Sequence, residues 1–506
     1  MSCKSRKSHK RSVAPRTRHG RRCVLRACRQ PQRTCYRQEL LASITRWLPR
    51  LGLPLGSHDG RVRWTPRLLA ICAILMVFSQ ASVLKDRFAE ARLATVRLYV
   101  GRHRRRPGQT YEGFIATLCK VSGQLLEGLL ATLRAMVQEI AGPYWQVAGW
   151  VLFGVDGTKV ECPRTKANEQ SMGCAGKDKS APQQLLTMLL HLGTGLPWGF
   201  ARDAGTGSER QQLQRMLGLL PQQSMLVADA GYMGYDMLQG ILAAGAQVLI
   251  RVGSGTRLLK KLGYAAREYQ DVVYLWPEAK QGRRRDGSVP EVAKAAPLVL
   301  RLIVLHDGRK PIHLLSSVLE KRRLSNRAAA ELYRRRWGME LYYRALKQTL
   351  NRRKLLSDCP AHAEVELDWN VVGLWILGLM TVEALIQSGH DPGRASVASA
   401  LRGVREVMGR LDERCGHGAL GRMLASAVQD PYERHGSKQS RQRKNKKSQH
   451  PPGAPHLRLA TAEERRLAQR MRKLARSAPK RALARVQNSP ILPSDLPQTR
   501  QDRFAA

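Results

Sequence analysis

Residues 146–158 read QVAGWVLFGVDGT, and the fold turns on whether this run ends a helical region or begins a sheet. Upstream, apolar residues recur at helical spacing: Leu68, Leu69, Ile71, Cys72 and Leu75, then Leu118, Val121, Leu125, Leu129 and Leu133, each series giving a helix one stripe to bury. Across Gln146–Val155 that spacing is lost. Aromatic and β-branched residues crowd a short run that stops at an acid followed by Gly, the pattern of a buried strand. Four further short apolar runs follow, at Leu185–Leu192, Trp198–Ala201, Met225–Ala228 and Gln247–Val252. Ser208–Leu219, opened by a Ser cap, reads as a helix between the third and fourth strands, and a second helix separates the fourth from the fifth. The order predicts a mixed α/β sheet.

Working outward, composition divides the chain into six segments. Residues 1–60 read as a basic N-terminal arm with little core of its own, because Glu39 is the only carboxylate in the first fifty residues. Residues 61–145 read as a small helical DNA-binding domain containing the basic loop GRHRRRPGQT at 101–110. Residues 146–255 hold the sheet. Residues 256–320, with strand-like runs Asp271–Trp276 and Leu298–Leu305 around the polar KQGRRRDGS, read as a β-rich insertion. Residues 321–430 are helical again, with one helix capped by Ser325 or Asn326 and running toward Leu350. Residues 431–506, containing SKQSRQRKNKK, read as a basic, disordered tail.

Charge narrows the partner. Lys and Arg number 86 against 39 Asp and Glu, a formal charge of +47 over 506 residues, which points to a polyanion and above all to nucleic acid. The apolar runs Leu68–Phe78 and Val371–Met380 are shorter than the roughly 20 residues that span a bilayer, so both are expected as buried helices and no membrane partner is expected. The basic N-terminal stretch has no apolar h-region, and the ten cysteines form no dense framework. A cytoplasmic, nucleoid-associated protein is therefore expected. Cys23, Cys28, Cys35 and His19 lack the Cys-x-x-Cys spacing of a zinc site. Gly173–Lys177 lacks the spacing and the Ser/Thr of a P-loop, no G-x-S-x-G elbow is present, and His191 and His313 read as core or edge residues of strands.

Three acids remain. Asp156 closes the first strand in LFGVDGTK, and Asp229 closes the fourth in SMLVADAGYMGYD; an Asp at the carboxyl end of a strand stands where open α/β sheets bind ligands. The third lies in YRRRWGMELYYRALKQTL, residues 333–350. On an ideal helix Arg336, Glu340, Tyr343 and Lys347 share an arc of about 60°, with Tyr333 at its edge. Taken alone, that face is a solvated row with an i,i+4 ion pair. If strand order brings the two Asp residues together and Glu340 joins them, three like charges need a cation. A few carboxylates, with water and substrate phosphate completing the sphere, are the Mg²⁺ pattern, and two such ions suit an in-line phosphoryl displacement.

With those residues in view, the chain resembles the DDE transposases of bacterial insertion sequences, specifically the insertion-sequence-four group. The resemblance rests on Asp156 in VDGTK, Asp229 in VADAGY, and Tyr333, Arg336, Glu340 and Lys347 at that group's Tyr-x2-Arg-x3-Glu-x6-Lys spacing. It covers roughly residues 64–390 and implies a ribonuclease-H-like core interrupted by a β-strand insertion. It also implies Asp156, Asp229 and Glu340 as catalytic residues holding two Mg²⁺ ions, or Mn²⁺ in their place. The implied reaction is cut-and-paste DNA transposition: binding of terminal inverted repeats, hydrolysis of one strand at the element's end, and attack by the freed 3′-hydroxyl. Double-stranded DNA, at the ends and the target, is the implied partner, and a homodimer in a synaptic complex the implied assembly. Tyr333, Arg336 and Lys347 are expected at phosphates, with Arg251 a further DNA contact. Trp276 is the insertion's candidate for stacking on a flipped base, while Trp337 is expected in the core. The alternative is a domesticated or inactive transposase that only binds DNA.

Overall fold

The computed structural model describes residues 33–46, 48, 63–98, 107–174, 181–277, 295–306, 311–429 and 453–477. Strand β1 (Arg33–Cys35) runs into helix α1 (Tyr36–Arg46), followed by α2 (Pro66–Phe78), α3 (Leu84–Leu98) and α4 (Tyr111–Ala141). Local chemistry sets these starts. The Thr65 hydroxyl accepts the Leu68 N–H at 3.3 Å, and Pro66 takes the first helical turn, where a missing N–H costs nothing. Thr110 caps α4 in the same way through the Gly113 N–H.

The sheet follows. Its first part is β2 (Val151–Glu161), β3 (Gln183–His191), β4 (Leu196–Ala204), β5 (Ser224–Ala228) and β6 (Gln247–Val252), with α5 (Lys166–Met172), α6 (Glu209–Met216) and α7 (Tyr235–Ala243) between them. Then come β7 (Arg257–Lys260), β8 (Val272–Leu275), β9 (Leu298–His306) and β10 (Pro311–Ser316). The C-terminal elements are α8 (Asn326–Arg334), α9 (Trp337–Arg344), a π-helical turn at Ala345–Thr349, α10 (Pro360–Gln387), α11 (Val397–Gly409), β11 (Arg414–Gly416), α12 (Ala419–Ala425), β12 (His456–Leu459) and α13 (Ala462–Ser477).

Ten strands form one sheet in the order β12-β7-β8-β9-β10-β6-β5-β2-β3-β4. β5 lies between β2 and β6 with both neighbours parallel, while β2, β3 and β4 form an antiparallel meander. The expected mixed α/β architecture is therefore present. The strand-rich segment after β6 is not a separate sheet: β10 pairs antiparallel with β6, so it extends the same surface.

Several expectations need correction. The first strand does not stop at Asp156 but runs on to Glu161, because β3 continues to pair with it to Glu161↔Gln183 after β5 has ended. Residues 33–46 are not a loose arm. β1 pairs with β11, Leu40 and Ile44 are buried, and Glu39 accepts the Gly418 and Leu420 N–H groups at 2.5 and 3.0 Å, satisfying the start of α12. Nor is all of 431–506 a disordered tail: β12 pairs in parallel with β7, and α13 covers a satellite core of Leu259, Leu262, Tyr274 and Trp276 with its buried Ala468. Residues 1–32, and the SKQSRQRKNKK run, lie outside the described residues.

The helices α2–α4 likewise have no core apart from the rest, since their buried side chains join those of the sheet and of α10 in one cluster. α10 is 28 residues long and apolar enough to cross a bilayer, yet 83% of its most apolar window is buried inside the protein. A helix apolar all round is here the central core helix. Gly373 permits α2 to approach it, for a Cβ there would lie 2.7 Å from Val77.

Candidate active site

The register of β2 against β5 is what brings the two Asp residues together. The last paired residues are Gly154 and Val227; Asp156 and Asp229 each lie two residues further on, level with one another on neighbouring parallel strands. Beyond that point β5 no longer pairs with β2, so both acids stand where the sheet opens. Asp156 accepts the N–H of Gly157 at 2.9 Å, and Asp229 accepts that of Gly231 at 2.7 Å, turning the chain through Ala230–Tyr232. Short polar side chains that bond to the following backbone suit such turns.

The Glu340 helix is docked onto this opening. Tyr343, buried one turn after Glu340, donates its hydroxyl to the Asp156 carbonyl at 2.6 Å. Met339 packs on Gly154, where a Cβ would lie 3.0 Å from its sulfur. The segment expected as one helix from Ser325 to Leu350 is three pieces. Ser325 caps α8, accepting the Ala328 N–H at 3.1 Å. Arg335 and Arg336 form a tight turn in which the Gly338 and Met339 N–H groups reach back three residues. Beyond α9 the π-helical turn carries Lys347.

That breakage redistributes the basic residues. Arg336 keeps its expected position, its Nη2 bonded to Glu340 Oε1 at 3.1 Å and its guanidinium 5.9 Å from the Tyr333 ring centroid. Burial alone would lower Arg336, but Tyr333, Glu340 and Asp156 together hold it above its usual value. Burial raises Tyr333, opposed by Arg336 and Arg251, so Arg251 joins this group. Lys347 does not: burial and Arg353 lower it, and the acid acting on it is Glu161.

The two tryptophans have the opposite exposure to that expected from the sequence. Trp276 is 9% exposed, its indole N–H donates to the Ala295 carbonyl at 2.8 Å, and it packs in the satellite core, so it offers no face for a base. Trp337 is 50% exposed, since the break before α9 turns it outward. It lines a cleft of about 500 Å³ with His306, Arg327, Tyr333, Arg334 and Arg336, between β9–β10 and α8. His191 is a core residue as expected, with Nδ1 2.9 Å from Thr194 and Nε2 3.0 Å from the Trp145 carbonyl; burial pulls it down to about 4.

One acid went unnoticed in the sequence. Glu209, the first residue of α6, accepts the Tyr232 hydroxyl at 3.2 Å. Asp156 is pushed up to about 6, first by burial, then by the charges of Glu209 and Asp229, against the Gly157 N–H and Arg336. Among the described residues, none of Asp156, Asp229 and Glu209 has an ion-pair partner, whereas Glu340 has Arg336. Nor, among the described residues, are three His, Cys, Asp or Glu side chains drawn close enough to form a ready-made metal site. Like charges do not converge without a cation between them, and a set of hard carboxylate oxygens lacking cationic partners fits a divalent ion.

Residues 151–374 match the transposase DDE domain family. The transposase InsG for insertion sequence element IS4 of Escherichia coli (strain K12) is 26% identical over 239 residues, 46% of this chain and 51% of that protein. The chain thus spans about half the length of the curated relative it matches. A piggyBac transposase synaptic complex with hairpin DNA, solved by cryo-EM, aligns over 79% of this chain and 84% of that chain at 13% identity and a TM-score of 0.35; at that similarity it adds nothing to the reading of the site.

Proposed function

We propose, from the match of residues 151–374 to the transposase DDE domain family and the similarity to an insertion-sequence-four transposase, that this chain is a DNA transposase acting on the ends of its own mobile element. The observation that carries this reading is the level register of Asp156 and Asp229 on adjacent parallel strands, with the Glu340 helix tied to Asp156 through Tyr343. In this reading the strands around them form a ribonuclease-H-like core, and the protein works on bacterial DNA in the cytoplasm.

The domain implies dependence on a divalent metal, for which we propose Mg²⁺, two ions, with Mn²⁺ able to substitute. Asp156, Asp229 and Glu340 would hold them. When bound, the ions supply activation of the attacking oxygen and neutralisation of charge on the phosphate being cut. The chain's own residues do the rest. Tyr343 fixes the backbone of Asp156. Arg336 is the counter-ion of Glu340 and, beside it, would be placed to bond the phosphate being cut. Arg251 and Tyr333 extend the same grip, and the cleft under Trp337 offers an aromatic face among cations, suited to an unpaired base beside the backbone. Terminal inverted repeats as the recognised DNA, cut-and-paste as the route and a homodimeric synaptic complex as the working form complete the proposal.

The test is incubation of the full chain with a DNA duplex carrying the element's ends and Mg²⁺. Cleavage and strand-transfer products are expected from the wild type and are expected to be lost in Asp156→Asn, Asp229→Asn and Glu340→Gln. Binding by all four proteins with cleavage by none, under conditions that support related reactions, would leave a DNA-binding protein without chemistry.

A further inference from the structure

We infer that Glu209 is a fourth carboxylate of the divalent-cation site, acting beside Asp156 and held in orientation by Tyr232. The inference rests on the metal-dependent reading above and extends it to a residue outside the Asp156, Asp229 and Glu340 set.

Two separate features converge on Glu209. The first is steric. A Cβ on residue 157 would lie 2.2 Å from Glu209 Cδ and 2.4 Å from Oε1, so the carboxylate lies directly over the backbone of Gly157, next to Asp156. Only a glycine leaves that space. The second is its anchor: Tyr232 is 2% exposed and lies three residues after Asp229, and its hydroxyl donates to Glu209 Oε2 at 3.2 Å.

The cost of this arrangement points to a cation. Glu209 occupies the first turn of α6, where its Ser208 cap makes no side-chain hydrogen bond, so a capping box does not account for it. A carboxylate facing solvent there would gain from the helix dipole at no expense. Instead it is folded back over Gly157, beside Asp156, with no cationic partner among the described residues. The next residue, Arg210, reaches across to the second loop, where a Cβ on Gly234 would lie 2.3 Å from its Nη2. The first turn of α6 thus touches the backbone that follows both Asp156 and Asp229. A divalent cation among these acids would relieve their repulsion, and Tyr232 would keep Glu209 turned toward it, as carboxylates and hydroxyls around a metal commonly do.

The test measures Mn²⁺ binding to the full chain without DNA, by electron paramagnetic resonance of free Mn²⁺, for wild type, Glu209→Gln, Tyr232→Phe and Asp156→Asn. Gln keeps the shape of Glu209 and can still accept the Tyr232 hydroxyl, so a purely structural role would leave binding unchanged. The expected result is a loss of about 10- to 100-fold in Mn²⁺ affinity in Glu209→Gln with an unchanged melting temperature, and a smaller loss in Tyr232→Phe. Glu209→Gln binding within twofold of wild type, while Asp156→Asn loses binding, would overturn the inference and leave the metal site standing. Absence of Mn²⁺ binding by the wild type would overturn both. In DNA cleavage, Glu209→Gln is expected to need a higher Mg²⁺ concentration for half-maximal rate and to recover at saturation.

Discussion

Gly157 shows how much of the site hangs on single atoms. Gly157→Ala puts a methyl group where the Glu209 carboxylate now lies, and because the displaced atoms end a flexible side chain, the change in stability is expected to be under about 1 kcal/mol. Metal affinity should fall with the displaced carboxylate; calorimetric titration with Mn²⁺ beside a thermal melt checks both halves. Asp156 gives a pH prediction. Its folded value is raised from 3.8 to about 6, first by burial, so the metal-free folded protein binds this proton more tightly than the unfolded chain. Its contribution to stability is full below 3.8 and is lost as pH rises through about 6. In chelator, Asp156→Asn should therefore gain in melting temperature relative to wild type as pH goes from 4 to 7; a constant difference would contradict the assignment. At this scale the sequence makes Asp156 and Asp229 legible, because an acid that ends an apolar run interrupts a pattern. Glu209 interrupts nothing: in SERQQLQR it is one polar residue among many, and only the fold brings it to Gly157. Trp337 fails for a related reason, since a helical wheel assumes a straight helix and the turn at Arg335–Arg336 is not one; Trp276, chosen by its place in the insertion alone, is taken up by the satellite core.

Elements were legible by type and less so by boundary. Strands β2 to β6 fall where the apolar runs predict, because a run buried on both faces cannot be solvated elsewhere. The extra length of β2 was not, since residues 156–161 are held by β3 and, at Glu161, by the distant Arg353–Leu355 segment, and carry a mostly polar, half-exposed pattern. The join between sheet and core helix makes an element-scale prediction. Arg202 on β4 bonds Asp368 at 2.8 Å and Glu364 at 2.7 Å on α10, and Asp368 is 5% exposed. Burial raises Asp368 to about 6 even against Arg202, so this pair lowers a desolvation penalty more than it adds stability. Arg202→Met strands a buried carboxylate and is expected to cost about 3 kcal/mol near neutral pH, whereas Arg202→Met with Asp368→Leu should recover most of it. Urea unfolding of the two variants decides this.

Across the whole molecule, composition points to a polyanionic partner more readily than it marks boundaries. A formal charge of +47 implies release of counter-ions on binding, so affinity for any duplex should fall steeply and log-linearly with salt. The same charge obscured the ends: the segments at 33–46 and 456–477 are too basic to look folded, yet each buries a few apolar residues against a distant part of the chain. Removing residues 453–506 should uncover Leu259, Leu262, Tyr274 and Trp276. Hydrogen exchange in β7 and β8 is then expected to accelerate while β2 and β5 stay protected, and uniform protection would contradict that packing.

The most direct measurement is Mg²⁺-dependent strand cleavage at the element's own ends, with wild type and Glu340→Gln compared at equal DNA occupancy. A 3′-hydroxyl end and its joined product are expected from the wild type, and intact DNA from a variant that still binds. Equal cleavage by the two proteins would contradict the place given to Glu340, and with it the claim that its pairing with Arg336 marks the reaction centre.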